Sequence, residues 1–181
     1  TDCADDISAV VDAEARVLRR LAGQGLWPHQ NVTVFVLDNL APLVGQLKVM
    51  GRLVDEALVG LPQRPMVVLY DPRHAGDCFV FVNRQIMIAE EFWGDPRAAE
   101  GLLAHEHAHP LSEAPVTASA RAMRVQATGP AALLPFAARL GETLSTGAVT
   151  ELLANAFCVE HGFADALKHV NRISLLRAIR N

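Results

Sequence analysis

The sequence predicts an α+β fold, with a small mixed sheet and helices in the N-terminal half and helices alone in the C-terminal half. Three short runs of β-branched and aromatic residues all lie before residue 84, whereas the apolar patterns after residue 95 have helical spacing. With 181 residues, 51% of them hydrophobic and 20% charged, the chain can bury the core of one domain. We predict a single domain with an α/β lobe at 1–110 and a helical lobe at 111–181.

The N-terminal half begins with a helix predicted at 4–22. Its apolar stripe consists of Ile7, Val10, Val11, Leu18 and Leu21, and the charged side chains of Asp12, Glu14, Arg16 and Arg19 are expected mostly outside that stripe. Strands are predicted at 31–37, 66–70 and 78–82, and a helix at 41–60. The short link between the second and third strands favours a hairpin.

Asp95 and Pro96 have the composition of a helix start, with Asp as the N-terminal cap and Pro at the first helical position. This helix should continue to His109. Pro110 lacks a backbone N–H, so we expect the helix to kink or end there. Further helices are predicted at 131–140, at 147–161 with Gly162 as its C-terminal cap, and at 163–179.

Composition excludes several classes of function. A net charge of −4 does not favour a nucleic-acid partner, and no apolar run in the chain approaches the roughly 20 residues of a membrane helix. Three widely spaced cysteines indicate neither disulfides nor a thiolate zinc site, which suggests a reducing, cytoplasmic location. The chain begins at Thr1, so an upstream targeting or anchoring segment could have been removed, and the sequence indicates no oligomeric state.

The residues that indicate chemistry are His105-Glu106-His107-Ala108-His109. A helix places His105 and His109 on one face, one turn apart, where two imidazoles can bind one Zn²⁺ at about 2.0–2.1 Å. Glu106 flanks the metal and can take a proton from a zinc-bound water. The sequence therefore predicts a zinc site with Glu106 as the catalytic base.

A catalytic zinc needs a third protein ligand. Glu113 lies about 12 Å from His105 along a continuous helix, which is too far for convergence. Glu151, on a separate predicted helix, is the better candidate. Asn155 lies one turn later on the same face and is predicted to hold the far nitrogen of a ligating histidine.

His107 is not needed for this site. On a helix it points about 200° away from His105, and we expect it to be exposed or capping. A rival interpretation places His105, His107 and His109 on a loop as a three-histidine metal cluster, which requires that 105–109 not be helical.

The pattern His105-Glu106-x-x-His109 followed by Glu151-x-x-Ala154-Asn155-Ala-Phe157 resembles the gluzincin branch of the zincin metallopeptidases, closest to ImmA/IrrE-type and HtpX-type peptidase domains. The resemblance implies a zincin-like active-site helix, a Glu on a later helix as the third ligand and an Asn that supports a ligating histidine. The metzincin branch needs Gly at 112 and His at 115, where this chain has Ser112 and Pro115.

The resemblance implies a zinc metallopeptidase that hydrolyses a peptide or protein substrate. It also implies that strand 78–82 offers its edge to an extended peptide. The 41 residues between His109 and Glu151 form a connection long enough to cover the site. Spacing singles out no residue for stabilising the oxyanion, and the candidates are Tyr70, Arg121, Arg124, His161 and His169. The alternatives are a non-proteolytic or regulatory zinc-binding module with a zincin-like fold, and a purely structural zinc with four protein ligands.

Overall fold

The computed structural model describes residues 3–27, 29–43, 61–70, 76–113 and 147–180. Within these ranges a three-stranded mixed sheet is combined with α-helices, which confirms the predicted α+β class. The elements are α1 (Cys3–Gly23), β1 (Asn31–Leu37), β2 (Met66–Leu69), β3 (Asp77–Asn83), α2 (Arg84–Ala89), α3 (Pro96–Glu113), α4 (Ala148–Glu160) and α5 (Ala164–Arg180), with a 3-10 turn at Leu61–Gln63 before β2.

The strand order in the sheet is β1-β3-β2. β3 pairs in parallel with β1 and antiparallel with β2, so the second and third strands are antiparallel neighbours as predicted. Because β3 is central, both of its edges are occupied, and the expectation that 78–82 offers a free edge to a peptide is wrong. Cys78, Val80 and Val82 alternate into the core, a pattern that reveals the buried face of a strand but not its neighbours.

Helix α1 has the predicted extent, but its buried face differs from the predicted stripe. Val10, Ala13, Val17 and Leu21 are buried, whereas Val11 is 46% exposed. Glu14, which was expected off the stripe, lies on the buried face with only 3% exposure. Helical spacing alone assigns Glu14 to this face, since it lies four residues after Val10 and three before Val17.

Helix α3 lies at the centre of the structure and packs against α1, α4, α5 and β2. The Oδ1 atom of Asp95 accepts hydrogen bonds of 2.9 Å from the backbone N–H groups of Arg97 and Ala98, which confirms the predicted cap. The helix does not end at Pro110 but continues to Glu113. Proline removes one N–H of the ladder and its ring crowds the carbonyl four residues earlier. In the same turn the hydroxyl of Ser112 donates to the Ala108 carbonyl at 2.7 Å.

Helices α4 and α5 confirm the predictions at 147–161 and 163–179, and Gly162 between them has a positive φ of 85°. Helix α2 was not predicted; Asn83 caps it by accepting from the Ile86 N–H. The helix predicted at 131–140, most of that at 41–60 and most of the connection from 110 to 150 lie outside the described residues.

Two further predictions concern membrane segments and the cysteines. Among the described helices, none is long and apolar enough to cross a membrane. Cys78 and Cys158 are buried free thiols, and burial raises the pKa of each to about 12. Neither cysteine belongs to the group of potential metal ligands found among the described residues.

Candidate metal site

The imidazoles of His105 and His109 meet on one face of α3. Their Nε2 atoms lie 3.1 Å apart, and both side chains are mostly buried, with 16% and 17% exposure. This arrangement follows from the four-residue spacing once 105–109 are helical. The interpretation of 105–109 as a loop carrying a three-histidine cluster is therefore wrong.

Glu151, in the first turn of α4, brings its carboxylate to the same point. Its Oε2 lies 3.1 Å from His105 Nε2, and its Oε1 lies 3.6 Å from His109 Nε2. The hydrogen bond from His105 lowers the pKa of Glu151 against the opposing effect of burial, with further lowering by the charges of His105, His109 and Arg64. The predicted third ligand thus reaches the two histidines as an ionised carboxylate.

These three side chains form a group that could hold a metal ion, with ligand atoms all within 4.8 Å of one another. Two nitrogens bound to a tetrahedral zinc at about 2.05 Å would be separated by roughly 3.3 Å, close to the separation found here. His105 Nδ1 is buried and has no hydrogen-bond partner among the described residues. Two imidazoles and a carboxylate are a typical donor set for zinc.

Glu106 is half-buried beside this group. Burial raises the pKa of its carboxyl group, and the charges of His109, Arg64 and His105 oppose that effect in part. A carboxylate with a raised pKa binds a proton more readily than an exposed one.

Arg64 is a cation near the site that the sequence analysis did not identify. It is exposed, and its charge lowers the pKa of both Glu106 and Glu151. The fully buried Asn83 holds the backbone on both sides of Arg64. Its side chain donates to the Pro62 carbonyl at 3.0 Å, and its backbone N–H donates to the Pro65 carbonyl at 2.9 Å. Nothing in the local sequence around Arg64 indicates its proximity to the motif, because only the packing of β2 on α3 creates it.

Asn155 is half-buried on α4, one turn after Glu151. His105 Nδ1 has no partner among the described residues, so Asn155 does not hydrogen-bond that atom in this structure. Its role as a support for a ligating histidine stays a prediction.

Three of the candidates for oxyanion stabilisation lie within the described residues, and each forms a hydrogen bond with a group outside the metal group. The Tyr70 hydroxyl donates to the His107 carbonyl at 3.1 Å. His161 Nδ1 lies 2.6 Å from Gln24 Oε1, and His169 Nε2 lies 2.7 Å from Asp95 Oδ2. The other two candidates, Arg121 and Arg124, lie outside the described residues.

His107 points away from the metal group, as helical geometry requires, but it is neither exposed nor a cap. Its side chain is 0% exposed, and Nε2 lies 2.9 and 3.1 Å from the two carboxylate oxygens of Glu14. The expectation was wrong because it assumed a solvated reverse face, whereas α1 covers that face. The buried position of Glu14 on the helical pattern of α1 was the available signal.

Comparisons of the chain with protein-family models, with curated proteins and with solved structures find no match.

Proposed function

We propose that this protein is a zinc-dependent metallopeptidase in which His105, His109 and Glu151 bind the metal and Glu106 is the catalytic base. The observation that carries the proposal is the convergence of a Glu on α4 with two histidines on α3, next to a carboxylate whose pKa burial raises. The helical His-Glu-x-x-His spacing is typical of metallopeptidases. The resemblance to gluzincins is consistent with the same assignment.

When bound, Zn²⁺ would supply Lewis-acid chemistry, polarising the scissile carbonyl and acidifying water. The protein's own residues would do the rest. Glu106 accepts a proton from the attacking water as its oxygen bonds to the carbonyl carbon. As the C–N bond breaks, Glu106 returns that proton to the leaving amine. The charge of Arg64, which lowers the pKa of both carboxylates, favours the ionised form of Glu106 that this step needs.

The composition and exposure of the group support a catalytic rather than a structural site. Among the described residues it has three members, whereas structural zinc sites have four protein ligands. The Glu151 side chain is 53% exposed, so the group is accessible to water and to substrate from the α4 side. An open side is what a hydrolytic site requires.

An extended peptide would bind along β2 rather than β3. β2 is an outer strand of the described sheet, and it packs against α3. Backbone pairing with β2 would carry the peptide past the metal group without demanding a particular side-chain sequence.

The test is zinc content and hydrolysis measured on the same samples. We expect about one zinc per chain, cleavage of an unbiased peptide library, and loss of cleavage with a chelator. Glu106→Gln should retain zinc and lose at least about a hundredfold in rate, since general base catalysis contributes about that much or more. Glu160→Gln, at the exposed end of α4, is the matched control. Unchanged cleavage by Glu106→Gln would refute the role of Glu106.

One observation favours the alternative of a zinc-binding module without proteolysis. Tyr70, His161 and His169 all hydrogen-bond groups away from the metal group, so none is placed to stabilise an oxyanion in this conformation. Stoichiometric zinc without chelator-sensitive cleavage of any library peptide would support that alternative.

A further inference from the structure

A buried polar pair lies on the reverse side of the helix that carries the metal group. Glu14 on α1 is 3% exposed and His107 on α3 is 0% exposed. The Nε2–H of His107 donates to the Glu14 carboxylate, with 2.9 and 3.1 Å to its two oxygens. The proposed hydrolytic chemistry does not use either residue, so their pairing requires a separate explanation.

Helical geometry relates this pair to the metal group. At about 100° per residue, the mean direction of His105 and His109 and the direction of His107 differ by about 180° around the axis of α3. A hydrogen bond to His107 therefore holds the helix from the side opposite the two ligands. It lies at the same axial level, because His107 is midway between them in sequence.

Aromatic contacts enclose the same turn of α3. Trp27, which follows α1, packs edge-on against the His107 ring with centroids 5.1 Å apart. The Tyr70 hydroxyl, directly after β2, donates to the His107 carbonyl. The hydrogen bond to Glu14 is the contact that fixes the direction of the His107 side chain. Because that side chain is attached to α3, the bond resists rotation of α3 about its axis.

Burying a carboxylate between two helices carries a desolvation penalty. Replacing such a pair by apolar residues of similar volume is often neutral or stabilising, so stability by itself does not explain Glu14. A directional contact can instead specify one rotational setting where apolar packing tolerates several.

We propose that Glu14 is a positioning residue for the metal site: by holding His107 it sets the rotation of α3 and thereby the direction of His105 and His109 toward Glu151. This rests on the proposed metal site. A 10° rotation of a helix with Cα atoms about 2.3 Å from its axis would move an imidazole nitrogen, about 6–7 Å out, by roughly 1 Å. A functional constellation tolerates only about 0.5 Å of displacement.

The experiment compares zinc affinity with stability across matched variants of the whole chain. Affinity is measured by competition with a chromophoric chelator, and site geometry by the visible spectrum of the Co²⁺-substituted protein. The double variant Glu14→Leu/His107→Leu replaces both partners and should keep the thermal midpoint of the wild type or exceed it. We expect its zinc affinity to fall at least tenfold and its Co²⁺ spectrum to change, as for loss of a group that orients metal ligands.

Two further variants separate positioning from general packing. Glu14→Gln keeps an acceptor for the His107 N–H and should hold zinc within about threefold of the wild type. Val17→Ala removes buried volume from the same face of α1, and should lower the thermal midpoint without the tenfold loss of affinity.

The outcomes distinguish the two proposals. If the wild type binds zinc and the double Leu variant binds it equally tightly, the positioning role of Glu14 is wrong and the metal site stands. If Val17→Ala loses affinity as much as the double variant does, the effect is one of packing and the positioning role is again wrong. If the wild type binds no zinc, the proposed metal site fails, and the positioning role falls with it.

Discussion

The Oε2 atom of Glu151 lies 3.1 Å from the Nε2 atom of His105, although 46 positions separate the two residues in sequence. This contact joins α4 to α3 at the only point where three potential metal ligands meet within the described residues. Without it, the two histidines would be a pair on a helix surface. The proposed function therefore depends first on whether this carboxylate binds metal.

Removing either side of this contact should weaken metal binding. We expect His109→Ala to abolish stoichiometric zinc, and Glu151→Gln to lower zinc affinity at least tenfold because a neutral amide is a weaker ligand than a carboxylate. Glu160→Gln on the same helix should bind as the wild type does. The measurement is zinc per chain after dialysis, and stoichiometric zinc in dialysed His109→Ala would count decisively against the site.

The charge of Arg64 should set the acid limb of the pH–rate profile. Arg64 lowers the pKa of Glu106, whose ionised form is the proposed base, so we expect activity to be lost as pH falls through that pKa. Arg64→Gln removes one lowering influence, and the acid limb should move to higher pH. Arg64→Lys keeps the charge and should leave the limb near its wild-type position.

Salt provides an internal check on this assignment. Because Arg64 is exposed, its effect should diminish at high ionic strength, and the two pH profiles should approach each other. Identical acid limbs for wild type and Arg64→Gln at low salt would show that Arg64 does not act on Glu106.

Glu106→Gln should stabilise the metal-free protein at neutral pH. Burial raises the folded-state pKa of Glu106 above its ordinary value, so ionised Glu106 is less favourable in the folded chain than in the unfolded chain. The contribution of Glu106 to the free energy of unfolding is present at low pH, and it is lost as pH rises through the pKa of Glu106 in the folded state. Gln carries no charge at any pH and escapes this loss.

The measurement is the thermal midpoint of both proteins against pH in the presence of a chelator. The advantage of Glu106→Gln should be largest at neutral pH, and should disappear below about pH 4, where Glu106 becomes mostly protonated in both states. A constant difference across the range would mean that the carboxylate is not destabilised by burial.

Gly101→Ala should destabilise the fold through the packing of α3 on α5. A Cβ at position 101 would lie 2.6 Å from the Ala166 carbonyl oxygen and 2.8 Å from its carbon, and backbone atoms cannot move aside cheaply. We expect a loss of about 1–3 kcal/mol in the free energy of unfolding, which exceeds the roughly 1 kcal/mol gained from the better helix propensity of alanine.

Gly23→Ala is the matched control, because a Cβ at position 23 would have no heavy atom within 4 Å. Urea denaturation of both variants gives the comparison. Equal stabilities for the two would show that α3 and α5 can separate slightly without loss.

The sequence alone determined those features that depend on local geometry. The cap at Asp95, the helices of α1, α3, α4 and α5, and the shared face of His105 and His109 all follow from backbone hydrogen bonding and a period of 3.6 residues. These rules hold within a few turns of chain, so they could be applied before any tertiary contact was known. The exclusion of Glu113 as a third ligand also came from such a rule, the rise per residue along a helix.

Tertiary structure alone decided the neighbours of each element. The central place of β3, the burial of Glu14 against His107 and the approach of Arg64 to Glu106 each join distant segments. A period in the sequence shows which side of a helix or strand is apolar, but not which partner covers it. Pro110 shows the converse. The lost N–H and the clash of its ring cost about 3 kcal/mol, yet α3, packed against α1, α4, α5 and β2, continues past it to Glu113.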